Sequence, residues 1–320
     1  SIQTPSTTLP PTQAPATQLQ PTLPEATTIS QEVPLAEAFP LSGNGPYFVG
    51  TRVHTIVDAS RNNREIDLVI HYPAIEKKNE NGQSIKRDAE PDLSDAPYPL
   101  VLTESDTGGM LISSQLASHG FVMVSISIPD HNDFFNWDIN MISWPMDFLV
   151  TLDQLSLNPV PELMEVYDVV RVGVTGYSYG GDISLALSGA RIDPQDYLDY
   201  CKNPPLLEVG YGPEWYQENA CGPSKKWGEM EAFAGEDYTS STDGLWQPLT
   251  DPRIVAVMPM APSGAWLYGE RGLAAADKPV LLLANTEDEF SPYLVETAFI
   301  YENLGGPEGS LIPSVGRDHI

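Results

Sequence analysis

Short apolar runs recur along the chain, and longer stretches with helical spacing separate them. The runs predict strands at Ile66–Tyr72, Pro99–Thr103, Phe121–Ile128, Val170–Thr175, Ile254–Met260, Val280–Ala284 and Ser310–Val315. Most are apolar at consecutive positions, as strands covered on both faces of a parallel sheet are. The first differs, because Ile66, Leu68 and Ile70 alternate with polar neighbours. That period of two predicts an antiparallel edge strand with one solvated face. Helices are expected at Ile112–Ser118, Trp144–Leu157, Gly180–Ala190 and Tyr293–Leu304, between strands, where crossover connections belong. The pattern is that of an α/β fold: a mostly parallel central sheet flanked by helices.

Three stretches fall outside this alternation. From Ser1 to about Pro40 the chain is Pro, Thr, Ser and Gln with scarcely a charge, too poor in apolar residues to offset the entropy of ordering it. The expected organisation is a tether over 1–44 and one folded domain over 45–320. Between the first two strands, "AIEKKNENGQSIKRDAEPDLSDAPY" reads as a solvated surface excursion. The stretch 192–250 carries Trp215, Trp227, Trp246, several tyrosines and both cysteines, and is expected to form a cap inserted after the third helix.

Composition narrows the classes. With 41% hydrophobic residues among 320, the chain can bury one sizeable core. Asp and Glu outnumber Lys and Arg 44 to 16, a formal net charge of -28, which repels phosphate backbones and anionic membranes. Nucleic acid is therefore not an expected partner, and no run reaches the roughly 20 apolar residues of a membrane span. A start at Ser1 followed by a stalk-like segment suggests export after removal of a leader, with the stalk as a surface tether. Cys201 and Cys221 stand in a polar, Pro- and Gly-containing stretch, which fits one disulfide in an oxidising compartment or two buried thiols. No acidic cluster has metal-ligand spacing, and no cofactor is expected.

The chemistry concentrates at Gly176-Tyr177-Ser178-Tyr179-Gly180, a G-x-S-x-G nucleophile elbow. Its context gives the five letters weight: "VVRVGVTG" upstream is a buried strand and "GDISLALSGA" downstream a packed helix. A serine hydroxyl needs an imidazole to accept its proton, and the chain has five histidines. His54 and His71 lie in early segments and His119 precedes a strand, away from the catalytic end of a sheet. His131 follows a strand and is the rival; His319 follows the last strand. Where this elbow occurs, the chain order is nucleophile, acid, histidine, which selects His319 and leaves His131 to the pocket rim. "VLLLANTEDEFSP" supplies Glu287, Asp288 and Glu289 after the penultimate strand, and Asp288 is the preferred orienting acid.

Together, "GPYFVGTR", "SRNNREIDLVIHYPA", "LASHGFVMVSISIPDH", "GYSYGG", "DPRIVAVMPMAP", "ANTED" and the histidine near the end resemble the dienelactone-hydrolase-like α/β-hydrolases, particularly the bacterial relatives of platelet-activating-factor acetylhydrolase. The resemblance runs from about Gly45 onward and implies a serine esterase acting through an acyl-enzyme. It places backbone oxyanion donors at Thr107 and Tyr179. By their positions in the chain, Tyr177, Asp106 and His131 are expected beside the substrate. The chain departs from the family at Glu104-Ser105-Asp106-Thr107-Gly108-Gly109, where that group has Ser-His-Gly-x-Gly-Gly. A carboxylate at Asp106 would oppose oxyanion charge unless it turned away or were paired. A short-acyl or medium-sized neutral ester is the expected substrate. Polyester or lipid hydrolysis is the alternative, and a non-catalytic ligand-binding protein on the same scaffold is the alternative from another class.

Overall fold

The computed structural model describes residues 41, 43–105, 107–127, 137–204, 207, 210, 212–306, 309–316 and 319. Eight strands form one sheet in the order β1-β2-β4-β3-β5-β6-β7-β8. They are β1 Phe48–Asp58, β2 Arg64–Ala74, β3 Tyr98–Glu104, β4 Val122–Ile126, β5 Tyr167–Tyr177, β6 Ile254–Met260, β7 Val280–Asn285 and β8 Gly309–Ser314. β1 and β2 form an antiparallel pair and β2 meets β4 antiparallel. Every pairing from β4 to β8 is parallel. The edge strand is thus β1 and not β2. In β1 the polar residues Arg52, His54 and Thr55 interrupt the apolar ones, and Val53 and Val57 face solvent, so its hydrophobic signal is weak. β2 buries Ile66, Leu68, Ile70 and Tyr72 completely.

The helices are α1 Thr107–Ser118, α2 Trp137–Leu157, α3 Tyr179–Leu187, α4 Pro194–Lys202, α5 Pro213–Cys221, α6 Trp227–Ala234, α7 Glu236–Thr239, α8 Ala265–Leu273 and α9 Thr297–Asn303. The chain steps from β3 to β4 in one direction across the sheet, then reverses to reach β5, β6, β7 and β8. Right-handed crossovers therefore place α1 on one face and α2, α3, α8 and α9 on the other. The α1 face holds a small cluster around Val49, Ala117 and Met123. The main core lies on the opposite face, where Ile142, Phe148 and Leu152 of α2 and Ile183 and Leu187 of α3 join the sheet side chains.

Several boundaries differ from expectation for identifiable reasons. Pro145 reads as a first-turn residue, yet it lies inside α2. Burial of Met141, Ile142, Trp144 and Phe148 on both sides of it outweighs one lost backbone bond. α3 stops before Gly189, whose φ of +95° ends the helical path. α8 was not expected, because Gly264 and Gly269, both at positive φ, interrupt its sequence pattern. The stretch 192–250 holds α4 to α7. Its aromatic residues serve mainly as packing: Trp227 contacts Tyr197 at 5.4 Å and Trp246 at 5.2 Å between ring centroids.

Cys201 of α4 and Cys221 of α5 are joined by a disulfide. Closing a loop over a sequence separation of 20 removes unfolded-state entropy worth roughly 3 kcal/mol. The Cys201→Ser/Cys221→Ser double variant is expected to lose about that much in denaturant unfolding. Alkylation of the denatured, unreduced protein is expected to modify neither cysteine; two modified thiols per chain would contradict the bond.

Candidate active site

β3 and β5 are neighbours in the sheet, with Leu102 opposite Val174. The chain leaves β3 on one face and β5 on the other, so the crevice outside their C-terminal ends is a topological switch point, where open α/β sheets bind ligands. α1 begins at Thr107 and α3 at Tyr179, each five residues beyond that Leu102/Val174 pair. Two helix N-termini, with their unsatisfied N–H groups and partial positive charge, therefore start at one level beside the crevice.

Ser178 occupies the turn between β5 and α3 with φ 56° and ψ -114°, a conformation that costs a non-glycine residue of order 1–3 kcal/mol. The turn is held on both sides. Ser178 N–H donates to Met260 O at 2.9 Å, and Asp182 N–H donates to Ser178 O at 3.1 Å. A Cβ at Gly176 or Gly180 would fall on the Glu104 carboxylate, and one at Gly181 would lie 2.6 Å from Met260 O. The glycines are thus required by close approach. Glu104 is buried at 1% exposure. It accepts the Tyr177 N–H at 3.2 Å and the Thr103 hydroxyl at 3.2 Å. Strand order, crossovers and this elbow together constitute the α/β-hydrolase fold.

The loops after β7 and β8 bring Asp288 and His319 to Ser178. His319 Nε2 lies 3.1 Å from Ser178 Oγ, and its Nδ1 lies 2.8 Å from Asp288 Oδ2. The Asp288 side chain is 1% exposed and that of His319 is 16% exposed. Asp288 Oδ1 also accepts N–H bonds from Phe290 at 2.9 Å and Ser291 at 2.7 Å, which fixes the carboxylate. The imidazole is in contact with the rings of Tyr177, 5.0 Å away, and Phe290, 4.9 Å away.

The structure therefore brings Ser178, Asp288, His319, Tyr177 and Tyr179 together, and starts α1 at Thr107 on the adjacent strand. Asp106 and His131 lie outside the described residues. His54 is on β1, His71 on β2, and His119 follows α1.

Two buried acids beside the relay were not anticipated. Asp182, in the first turn of α3, accepts the Ser263 N–H at 2.5 Å and the Ser263 hydroxyl at 3.0 Å. Glu296 accepts the Tyr216 hydroxyl at 2.7 Å and the Ala265 N–H at 2.9 Å, linking the acid loop to α5 and α8. Among the described residues neither forms an ion pair. Burial pushes Asp182 up to about 7 against the bonds from Ser263. Burial also pushes Glu296 up to about 8, with Asp182 and Asp288 adding like charge and the Tyr216 and Ala265 bonds opposing. A signal existed: each is a lone acid in an apolar stretch, "GGDISLAL" and "LVETAFI".

Among the described residues no group of His, Cys, Asp and Glu is arranged to hold a metal ion, and no helix is long and apolar enough to cross a membrane. No family model and no curated protein matches the chain. Among solved structures, the chain is similar to a cold-adapted esterase from an Arctic intertidal metagenomic library, in its zinc-bound form. The TM-score is 0.45 and the identity 14%, over 85% of this chain and 85% of that one.

The two acids set a pH dependence of stability. Their unfolded values are 3.8 and 4.5 and their folded values about 7 and about 8, so between these limits the native state binds more protons. Stability is then highest at the acid end of the window and falls as pH rises through it, by up to about 1.4 kcal/mol per unit for each group. The urea midpoint is expected to be lower at pH 8.5 than at pH 5, with Glu296→Gln flattening the slope. A wild-type midpoint that rises over that interval would exclude this assignment.

Proposed function

We propose that the chain is a serine hydrolase cleaving carboxylic esters through an acyl-enzyme, with Ser178 as nucleophile, His319 as general base and acid, and Asp288 as the orienting carboxylate. The observation that carries this reading is the continuous relay from Asp288 through His319 to a serine held at a strained turn on a helix N-terminus. Bonded to Asp288, Nδ1 keeps its hydrogen, which leaves the Nε2 lone pair facing Ser178 Oγ. As Oγ attacks the ester carbonyl carbon, Nε2 takes its proton and the carbonyl oxygen becomes an oxyanion. The N–H groups of Tyr179 and Thr107 are the proposed donors to that oxyanion. Nε2 then gives the proton to the departing alkoxy oxygen, releasing an alcohol and leaving Ser178 acylated. Water attacks the acyl carbon by the same proton path, releasing the acid and restoring Oγ–H.

The net charge of -28 favours neutral or cationic esters over anionic ones. Export, with residues 1–44 as a tether, is part of the proposal; the Cys201–Cys221 disulfide supports an oxidising compartment.

A fluorophosphonate probe is expected to label Ser178 alone by peptide mapping. Ser178→Ala and His319→Ala are expected to lower kcat on short-acyl esters by on the order of a thousandfold or more, and Asp288→Asn by a smaller but still large factor. Wild-type turnover by Ser178→Ala, or a probe adduct on another serine, would refute the assignment.

A further inference from the structure

We infer that Trp215 and Phe290 form the alcohol-side subsite of this site and select esters of aromatic alcohols, a reading that rests on the esterase function proposed above.

The direction of proton transfer locates the alcohol. The departing oxygen must receive its proton from His319 Nε2, so the alcohol portion leaves past the imidazole, while the acyl portion stays on Ser178. Whatever flanks the imidazole on its open side therefore touches the alcohol. Tyr177, the residue before Ser178, lies 5.0 Å from the imidazole. Phe290 lies 4.9 Å from it, tilted 31° to the imidazole plane. Trp215 then stands edge-on to Phe290, with centroids 5.1 Å apart and planes at 67°. Both Trp215 and Phe290 are half-buried, which leaves part of each ring for a ligand.

The pair is fixed from beneath. Trp215 lies on α5, where the next residue, Tyr216, donates to the buried Glu296 at 2.7 Å, and Cys221 of the same helix is bonded to Cys201. Phe290 is tied through its own N–H to Asp288 Oδ1. A wall anchored in this way loses little side-chain entropy when a flat group settles on it. The space behind it is small. Between Trp215, Trp266, Phe290, Ser263 and Glu296 lies a cavity of about 20 Å3, room for about one water molecule. A long alkyl chain finds no tunnel there. A planar ring lying across the wall gains the offset and edge contacts that aromatic pairs prefer.

The test compares benzyl acetate with hexyl acetate, whose alcohols have similar acidity and which form the same acetyl-enzyme, so that the ratio of kcat/KM reports the alcohol subsite. Wild type is expected to favour the benzyl ester roughly tenfold, and Trp215→Leu and Phe290→Leu, which keep apolar volume, each to lower the ratio about threefold or more. Benzyl alcohol is also expected to inhibit wild type more strongly than hexanol, a measurement that stands if a variant does not fold. Turnover of both esters with no benzyl preference, or a preference that survives in both folded variants, overturns this inference and leaves the esterase reading intact. Absence of ester turnover together with absence of Ser178 labelling overturns both.

Discussion

The backbone of Ser178 is the constraint around which the rest of the molecule is arranged. A serine at φ 56° is not a conformation the local sequence prefers, so it persists only where the surroundings over-determine it. Here they do so from three directions. β6 accepts the Ser178 N–H through Met260 O, α3 donates back through Asp182 N–H, and the buried Glu104 carboxylate occupies the notch that Gly176 and Gly180 leave open. The first and third depend on distant parts of the chain. The turn can form only once β3, β5 and β6 are in register, which makes the conformation of Ser178 a product of tertiary structure and not of the five residues of the elbow.

The electrostatics around the turn follow from the same crowding. Asp182, Glu296 and Asp288 are all buried near one another, and backbone N–H groups and hydroxyls, not cations, satisfy the first two. Carboxyls that close cannot all be ionised in a low-dielectric interior. Burial therefore favours the protonated forms of Glu296 and Asp182, while Asp288 is the member bonded to the imidazole.

What could be read from the sequence tracks how each feature is encoded. β6 was legible to the residue, because this strand with parallel neighbours on both sides is apolar along its length and nothing else competes. The edge strand β1 was not, because one of its faces is solvated and its polar residues dilute the period. α8 was hidden by two glycines whose positive φ bends the helix. That Ser178, His319 and Asp288 would meet was legible because histidine is scarce and the elbow suggests the order of its partners. Glu104, Asp182 and Glu296 were not singled out among 44 acidic residues; apolar neighbours hint at burial for Asp182 and Glu296, whereas the burial of Glu104 emerges only in the folded molecule.

The stretch 192–250 was recognisable as an interruption, but its relation to the site emerges only in three dimensions. Tyr197, Trp227 and Trp246 pack on one another, which is the ordinary fate of tryptophan and tyrosine in a small helical layer. Trp215 is the exception, because its helix is held at two points that are themselves parts of other systems: Tyr216 to Glu296 on the acid loop, and Cys221 to Cys201 on α4. The acid loop in turn carries both Asp288 and Phe290. A single backbone segment thus sets the carboxylate bonded to His319, the Phe290 ring beside the imidazole and the anchor for α5. A shift in the position of α5 cannot occur without stressing the bond to Glu296, eight residues from Asp288. In this architecture α5 and the contacts of Asp288 with His319 share supports on the loop after β7, so changes made to one are transmitted to the other.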